Sequence, residues 1–277
     1  MAIRVVTDSA CDLPQPVCDE LGIEIVSLTI RFGEEEYVDR VTLSTEDFWT
    51  KLATSPALPE TSAPSVGAFE EVFRRLADDG ADGIVCVNLS SKMSATIQSA
   101  QVAAKAIDGV CPIAIIDSKN ASMGIGNLAM HAARRANDGA DLATIVAELE
   151  SRRDRQHVFA TLDTLEYLRK GGRIGGAQAM LGSVLSIKPV IEVIDGMVEQ
   201  GAKVRTRSKA LKFLAEKVPA KSEMLSVLHS GAPDLDEFMA MIEPATRDTE
   251  VVVGLIGPVV GVHLGPRVIG VGWIDTA

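Results

Sequence analysis

Short β-branched apolar runs alternate with helix-period segments through the first half of the chain. "IRVV" (3–6) reads as a strand entering a turn, and "PQPVCDELG" as a short helix stopped at Gly22. "IEIVSLTIRF" (23–32) predicts a second strand. Val66, Phe69, Val72, Phe73 and Leu76 fall at helical spacing and predict a helix over 66–79. "GIVCVNL" (83–89) and "PIAIID" (112–117) predict further strands, with helices over about 92–107, 122–137 and 141–153. Strands alternating with helices predict a parallel sheet covered on both faces.

The pattern then changes. "HVFATLD" (157–163) predicts a strand, "TLEYLRKGGRIGG" a short helix broken by glycines, and 177–186 an apolar helix. "KPVIEVIDGMVEQGAKVR" predicts a hairpin turning on Asp195-Gly196. A helix over 208–217, the strand "MLSVLHS", a helix over 234–243 and the strands "EVVVGLIG" and "RVIGVGWI" complete an α+β pattern with a mixed sheet. The polar "SRRDRQ" marks the change of style, so two domains are expected, 1–153 and 154–277.

Composition narrows the function classes. Lys and Arg number 27 against 38 Asp and Glu, a net charge of −11, and no Lys/Arg-rich run offsets it. That balance argues against DNA or RNA as a partner. The N-terminus carries no signal-peptide apolar core, and the longest apolar run (251–262) is too short to span a bilayer. A soluble, cytoplasmic protein is expected. Cys11, Cys18, Cys86 and Cys111 show no C-x-x-C spacing and read as buried free thiols.

Candidate chemistry gathers at strand ends. Three predicted parallel strands close on Asp8-Ser9, Ser90-Ser91 and Asp117-Ser118, the edge where open α/β sheets bind ligands. Helix capping is the competing explanation for each hydroxyl taken singly. If Ser91 caps the helix in "SSKMSATIQSA", Ser94 falls in its first turn beside free backbone N–H groups, an anion site. "TSAPS" (61–65) offers a second helix start, with Pro64 suited to an early helical position. No P-loop, nucleophile elbow, zinc motif or EF-hand occurs, and "GIGNLA" (124–129) lies too far past its strand for a dinucleotide fingerprint. The four histidines give no metal-ligand spacing. His263, between Gly-Pro pairs, has a setting that points to close backbone approach, against the structural role that a lone His among apolar residues more often has.

In order along nearly the whole chain, "TDSACDLP" (7–14), "TSAPS", "SSKMSATIQSA" (90–100), "IDSKNASMGIG" (116–126), "TLEYLRKGGRI" (164–174), "IKPVIEVIDGMV" (187–198), "KVRTRSKAL" (203–211) and "IGPVVGVHLGP" (256–266) resemble the DegV family of lipid-binding proteins, which includes the fatty-acid-carrying subunit of bacterial fatty acid kinase. The resemblance implies an N-terminal three-layer α/β/α domain with a parallel sheet and a C-terminal two-layer α/β domain with a mixed sheet. It also implies a long-chain fatty acid in an apolar tunnel, its carboxylate near Thr61, Ser62, Ser94 and His263. Arg173, with Arg205 or Arg207, would support the site or dock the kinase. Ala95 stands where the family usually has glycine. No cofactor, metal or catalytic residue is implied. The protein would present the carboxyl group to an ATP-dependent kinase partner, which forms an acyl phosphate for phospholipid synthesis. Leucines, valines and methionines of 123–130 and 177–187 are candidates for the tunnel wall, with ordinary core the more common role for such residues. The alternatives are a serine-dependent hydrolase or phosphotransferase using Ser94, His263 and Asp8, or a lipid-sensing regulator.

Overall fold

The computed structural model describes residues 2–181, 187–247 and 249–277. Its first half runs β1 (Ile3–Asp8), α1 (Gln15–Leu21), β2 (Ile23–Val26), β3 (Thr29–Phe32), β4 (Glu35–Val38), α2 (Thr45–Thr54), β5 (Glu60–Ser62), α3 (Val66–Asp78), β6 (Gly83–Asn88), α4 (Thr96–Ala106), β7 (Ile113–Asp117), α5 (Met123–Asn137) and α6 (Leu142–Arg153). Four strands form a parallel sheet in the order β2-β1-β6-β7. Successive side chains of a strand point to opposite faces, so Val85 and Val87 join one apolar core while Ile84 and Cys86 join another. Phe69, Phe73 and Leu76 of α3, with Ala100 and Ala103 of α4, cover the second face. That double burial is why these strands read as continuous apolar runs.

The second half runs β8 (Gln156–Thr161), α7 (Glu166–Lys170), β9 (Lys188–Ile194), β10 (Met197–Val204), α8 (Arg207–Lys217), β11 (Met224–His229), α9 (Leu235–Thr246), β12 (Val251–Leu255), α10 (Pro258–Leu264) and β13 (Ile269–Ile274). Its six-stranded sheet, β10-β9-β8-β13-β11-β12, is antiparallel except for the β11–β12 pair. The hairpin turns where expected, with Asp195 at φ 47° and Gly196 at φ 80°, the pair of positive φ angles a type I′ turn requires. Leu211 and Leu214 of α8 and Phe238 and Ile242 of α9 pack with Phe159, Val227 and Trp273 on one face.

Helix α5 lies between the two sheets, touching β1 and β6 on one side and β8, β11 and β13 on the other. Ten of its residues are buried, many of them small, as expected of a helix enclosed on all sides. Gly126 faces the Cys11 carbonyl and Leu13, with a Cβ position only 3.0 Å from each. Tight packing, not dinucleotide binding, accounts for that glycine. One contiguous core holds residues of both sheets. All four cysteines are buried and free.

Several boundaries differ from the sequence-based expectations. Residues 23–32 form two strands in different sheets, because β3 leaves the parallel sheet to pair with β4 and β5 in a three-stranded sheet. Pro64 lies before the start of α3, and Ser65 is the N-cap, accepting the Ala68 N–H at 3.1 Å. Helix α4 starts at Thr96, not near 92, and Ser91 does not cap it. The Ser91 hydroxyl instead donates to Asp117 Oδ2 at 2.5 Å. The short helix α10 fills a span read only as the end of a strand and a loop. Of the apolar helix expected over 177–186, residues 182–186 lie outside the described residues, and Gly175–Met180 forms 3-10 turns. Among the described residues no helix is long and apolar enough to cross a membrane, and no group of three or more His, Cys, Asp or Glu could hold a metal ion.

Candidate functional site

Helix α10 is gripped from two sides. From α2, Phe48 and Trp49 press on Gly261, whose Cβ position would lie 2.7 Å from Phe48 and 2.9 Å from Trp49. Trp49 Nε1–H donates to the Ile256 carbonyl at 3.1 Å. From the other side, Tyr167 of α7 packs on Gly265, and Gly171 abuts Nδ1 of the His263 ring so closely that any side chain there would collide with it. These contacts aim His263 at β5, where its Nε2 lies 3.1 Å from Thr61 Oγ1.

His263 opens onto a cavity of about 210 Å³. Thr61, Ser94, Arg173 and His263 contribute its polar lining together with Ser122. The remaining wall is apolar, drawn from Val158 and Ala160 of β8, Ile191 of β9, Val198 of β10, Leu228 of β11 and Val260 of α10, among others. The six-stranded sheet thus supplies most of the apolar wall. The leucines and methionines of 123–130 pack in the core instead.

The polar side chains touch in sequence. Arg173 Nε–H donates to the Met93 carbonyl at 3.1 Å, beside Ser94, and its Nη1 donates to the Gly171 carbonyl at 2.8 Å. The Ser94 hydroxyl lies 2.9 Å from the Thr96 hydroxyl and accepts the Thr96 N–H at 3.3 Å. Burial, with the Arg173 charge as a second cause, pushes the His263 pKa down to about 4, so the ring is neutral at pH 7. Its Nδ1 is buried and has no hydrogen-bond partner among the described residues. Orphaned N–H groups are rarer than orphaned acceptors, which favours the tautomer with its proton on Nε2, donating to Thr61 Oγ1. The Thr61 hydroxyl proton is then directed elsewhere. A carboxylate needs such donors, because burying one without hydrogen bonds is costly.

The other expected residues lie apart from this cluster. Ser62 is exposed, its side chain on the face of β5 opposite Thr61. Arg205 is exposed as well, and Arg207 makes a paired contact with Asp234 at 2.7 and 2.9 Å on the far side of β10. Asp8 accepts from the backbone of Ala10 and Leu89 and from Asn88 Nδ2. Hydrogen bonds thus join His263 to Thr61, Ser94 to Thr96 and Asp8 to its own strand edge, and do not link the three as a relay. Ser9, Ser90 and Ser118 of the strand edge are engaged with backbone: Ser9 Oγ accepts from Leu28 N, while Ser90 and Ser118 donate to the carbonyls of Gly196 and Asn120. Sequence reading missed Gly171 and Ser122. The "KGG" break and the "NAS" turn were their only signals.

Known proteins share this fold. A family profile described as "Uncharacterised protein, DegV family" matches residues 2–276. A DegV domain-containing protein of Halalkalibacterium halodurans is 37% identical, with 98% of each chain covered. Among solved structures, a DegV family protein from Thermus thermophilus described for its fatty acid binding is 33% identical with a TM-score of 0.90 over 100% of both chains. A stearic-acid-binding protein from Eubacterium ventriosum is 29% identical with a TM-score of 0.88, covering 99% of this chain and 98% of that one.

Proposed function

The chain belongs to the DegV family, and from that premise we propose that it is a fatty-acid carrier. It holds a long-chain fatty acid in the cavity with the carboxylate at Thr61, Ser94, His263 and Arg173. The observation that carries this reading is an apolar cavity lined, around His263, by two hydroxyls, an arginine and a neutral histidine. Each buried methylene of the tail contributes about 0.8 kcal/mol, so the tail dominates affinity and the polar cluster sets which way the acid lies. The fatty-acid binding named for the solved relatives supports the same ligand class.

The protein acts without catalysis of its own. In the cytoplasm it presents the carboxylate to an ATP-dependent kinase, whose product is an acyl phosphate used in phospholipid synthesis. The carboxylate oxygen attacks the γ-phosphorus of ATP in the kinase, and ADP leaves. Residues 1–153 and 154–277 act as two domains that both contribute walls to the cavity. Ser62 and Arg205, both exposed, serve a partner-facing surface in this reading, not the buried carboxylate, while Arg207 is held by Asp234.

Native mass spectrometry and solvent extraction test the ligand. A fatty acid should co-purify, and stripped protein should gain thermal stability with oleate or palmitate, by about 2.7 kcal/mol at a hundredfold excess over Kd. Protein that is repeatedly empty and gains nothing sinks the carrier reading. Acyl phosphate should form only when a kinase is added with ATP. Turnover of acyl or phosphate esters by the protein alone, lost in Ser94→Ala, would replace the carrier with an enzyme.

A further inference from the structure

One residue of the cavity wall holds a backbone conformation that its side chain disfavours. Ser122, just before α5, has φ 54° and ψ −137°, a region that residues with a Cβ occupy only where the surroundings over-determine it. It is 3% exposed. Its hydroxyl donates to Asp12 Oδ2 at 2.5 Å. Asp12 is 1% exposed and sits in the left-handed region at φ 53°. Its other oxygen accepts the Gly257 N–H at 2.8 Å. Gly257 immediately precedes α10, which brings Val259, Val260 and His263 to the cavity. Arg40 and Asp39 are the other charged groups acting on Asp12.

We propose that Asp12 and Ser122 are positioning residues of the fatty-acid site: the Ser122–Asp12–Gly257 bridge fixes the start of α10 and so holds His263 against Thr61. This rests on the carrier reading of the cavity. The bridge joins three segments that no strand pairing or shared helix connects. A buried N–H deprived of its acceptor is destabilised until it finds another, so without Asp12 the first turn of α10 must shift. Glycine fits the backbone angles of Ser122 better than serine does. A serine that were only structural would be replaced by glycine without loss. A serine retained for its hydroxyl would not.

Wild type, Asp12→Asn, Asp12→Ala and Ser122→Gly are compared by ligand-free NMR titration of His263, by oleate affinity and by thermal melting. In wild type His263 titrates near 4. Asp12→Asn keeps that value and the affinity, because its amide oxygen accepts from Gly257 and its NH2 donates to the Ser122 hydroxyl. Asp12→Ala raises the His263 midpoint by about one unit or more toward its ordinary ~6.5 and weakens oleate by about tenfold or more. Ser122→Gly moves both in the same direction by a smaller factor while its melting temperature holds or rises. Ser122→Gly with wild-type affinity and titration overturns the proposal, as does Asp12→Asn as defective as Asp12→Ala. If Asp12→Ala does not fold, the other two variants decide. Wild type that binds no oleate sinks the carrier reading, while the ligand-free His263 titrations still judge the bridge.

Discussion

Ser9, Ser90 and Ser118 stand at the ends of β1, β6 and β7, and Thr61 and Ser94 stand at the cavity, yet the two groups are satisfied differently. Each of these edge hydroxyls bonds backbone, Ser9 the Leu28 N–H, Ser90 the Gly196 carbonyl at 2.7 Å and Ser118 the Asn120 carbonyl at 3.2 Å, with Ser9 also interacting with the Asp39 carboxyl. The cavity hydroxyls meet side chains, His263 and Thr96, and those partners can share with an incoming oxygen at little cost. Backbone carbonyls have no such freedom. Residue type and position at a strand end therefore do not separate the two sets, and neither does a side-chain partner alone, since Ser91 at the edge donates to Asp117; the separating feature is a side-chain partner at the cavity.

The double variant Thr61→Val with Ser94→Ala tests that distinction most severely. A hydrogen bond to a charged group contributes about 1.5–3 kcal/mol, so losing two should weaken oleate binding by ~10²-fold or more. Stability should change by no more than about 1 kcal/mol. Calorimetric titration together with thermal melting separates the two quantities. If stability collapses while occupancy per folded molecule is unchanged, these hydroxyls belong with the edge set.

Gly171→Ala attacks the same end through its support. The added methyl meets His263 Nδ1 directly and must push the ring away from Thr61. Affinity should fall by about tenfold and the His263 titration should rise from about 4 as the ring gains solvent. An unmoved titration would show that α7 does not hold the ring.

The buried carboxylates have their own signature in pH. Burial pushes Asp8 and Asp39 up to about 6 and Asp12 up to about 7, so their ionised forms are disfavoured in the fold. A raised carboxyl pKa contributes stability that is present at low pH and is lost as pH rises from about 4 to about 7. Asp12→Asn carries no such dependence. Its melting temperature should exceed wild type most above pH 7, and the gap should shrink as pH falls, by up to about 1.4 kcal/mol per unit. A gap that widens on acidification would mean that Asp12 is stabilised as the anion. Ser90→Ala acts on the edge set alone. It should cost about 1 kcal/mol of stability and leave oleate affinity per folded molecule as it was.

Much of the scaffold was legible because its physics is local. Val85, Cys86 and Val87 face two buried layers, so β6 reads as an unbroken apolar run, and Asp195-Gly196 names its own turn. The three-stranded sheet was not legible, since β4 and β5 bury almost nothing and lack a clear apolar alternation. Helix α4 starts late because the N–H groups of Met93 and Ser94 both turn back to the Ser90 carbonyl, while Ser91 is held by Asp117. The pairing of Thr61 with His263 spans 202 positions, and no spacing rule reaches that far. Only the ordered set of family motifs put the two residues in one sentence before the structure put them in one cavity. The wall was hidden for a different reason: Ala160, Ile191 and Leu228 are buried strand residues, indistinguishable by period from those that pack solidly.

The smallest expected effect sharpens the comparison further, because it separates two adjacent hydroxyls. Thr61 and Ser62 are neighbours in β5, and successive side chains of a strand point to opposite faces. Thr61 lines the cavity and touches His263, while Ser62 faces solvent. Ser62→Ala should therefore change both oleate affinity and stability by less than ~0.5 kcal/mol. Its effect on acyl phosphate formation with an added kinase is a separate readout of the proposed function, since the Ser62 hydroxyl is exposed. An affinity loss in Ser62→Ala comparable to that of Thr61→Val would mean that β5 rotates on binding and that the ligand-free pairing with Ile30 is not the one the acid sees.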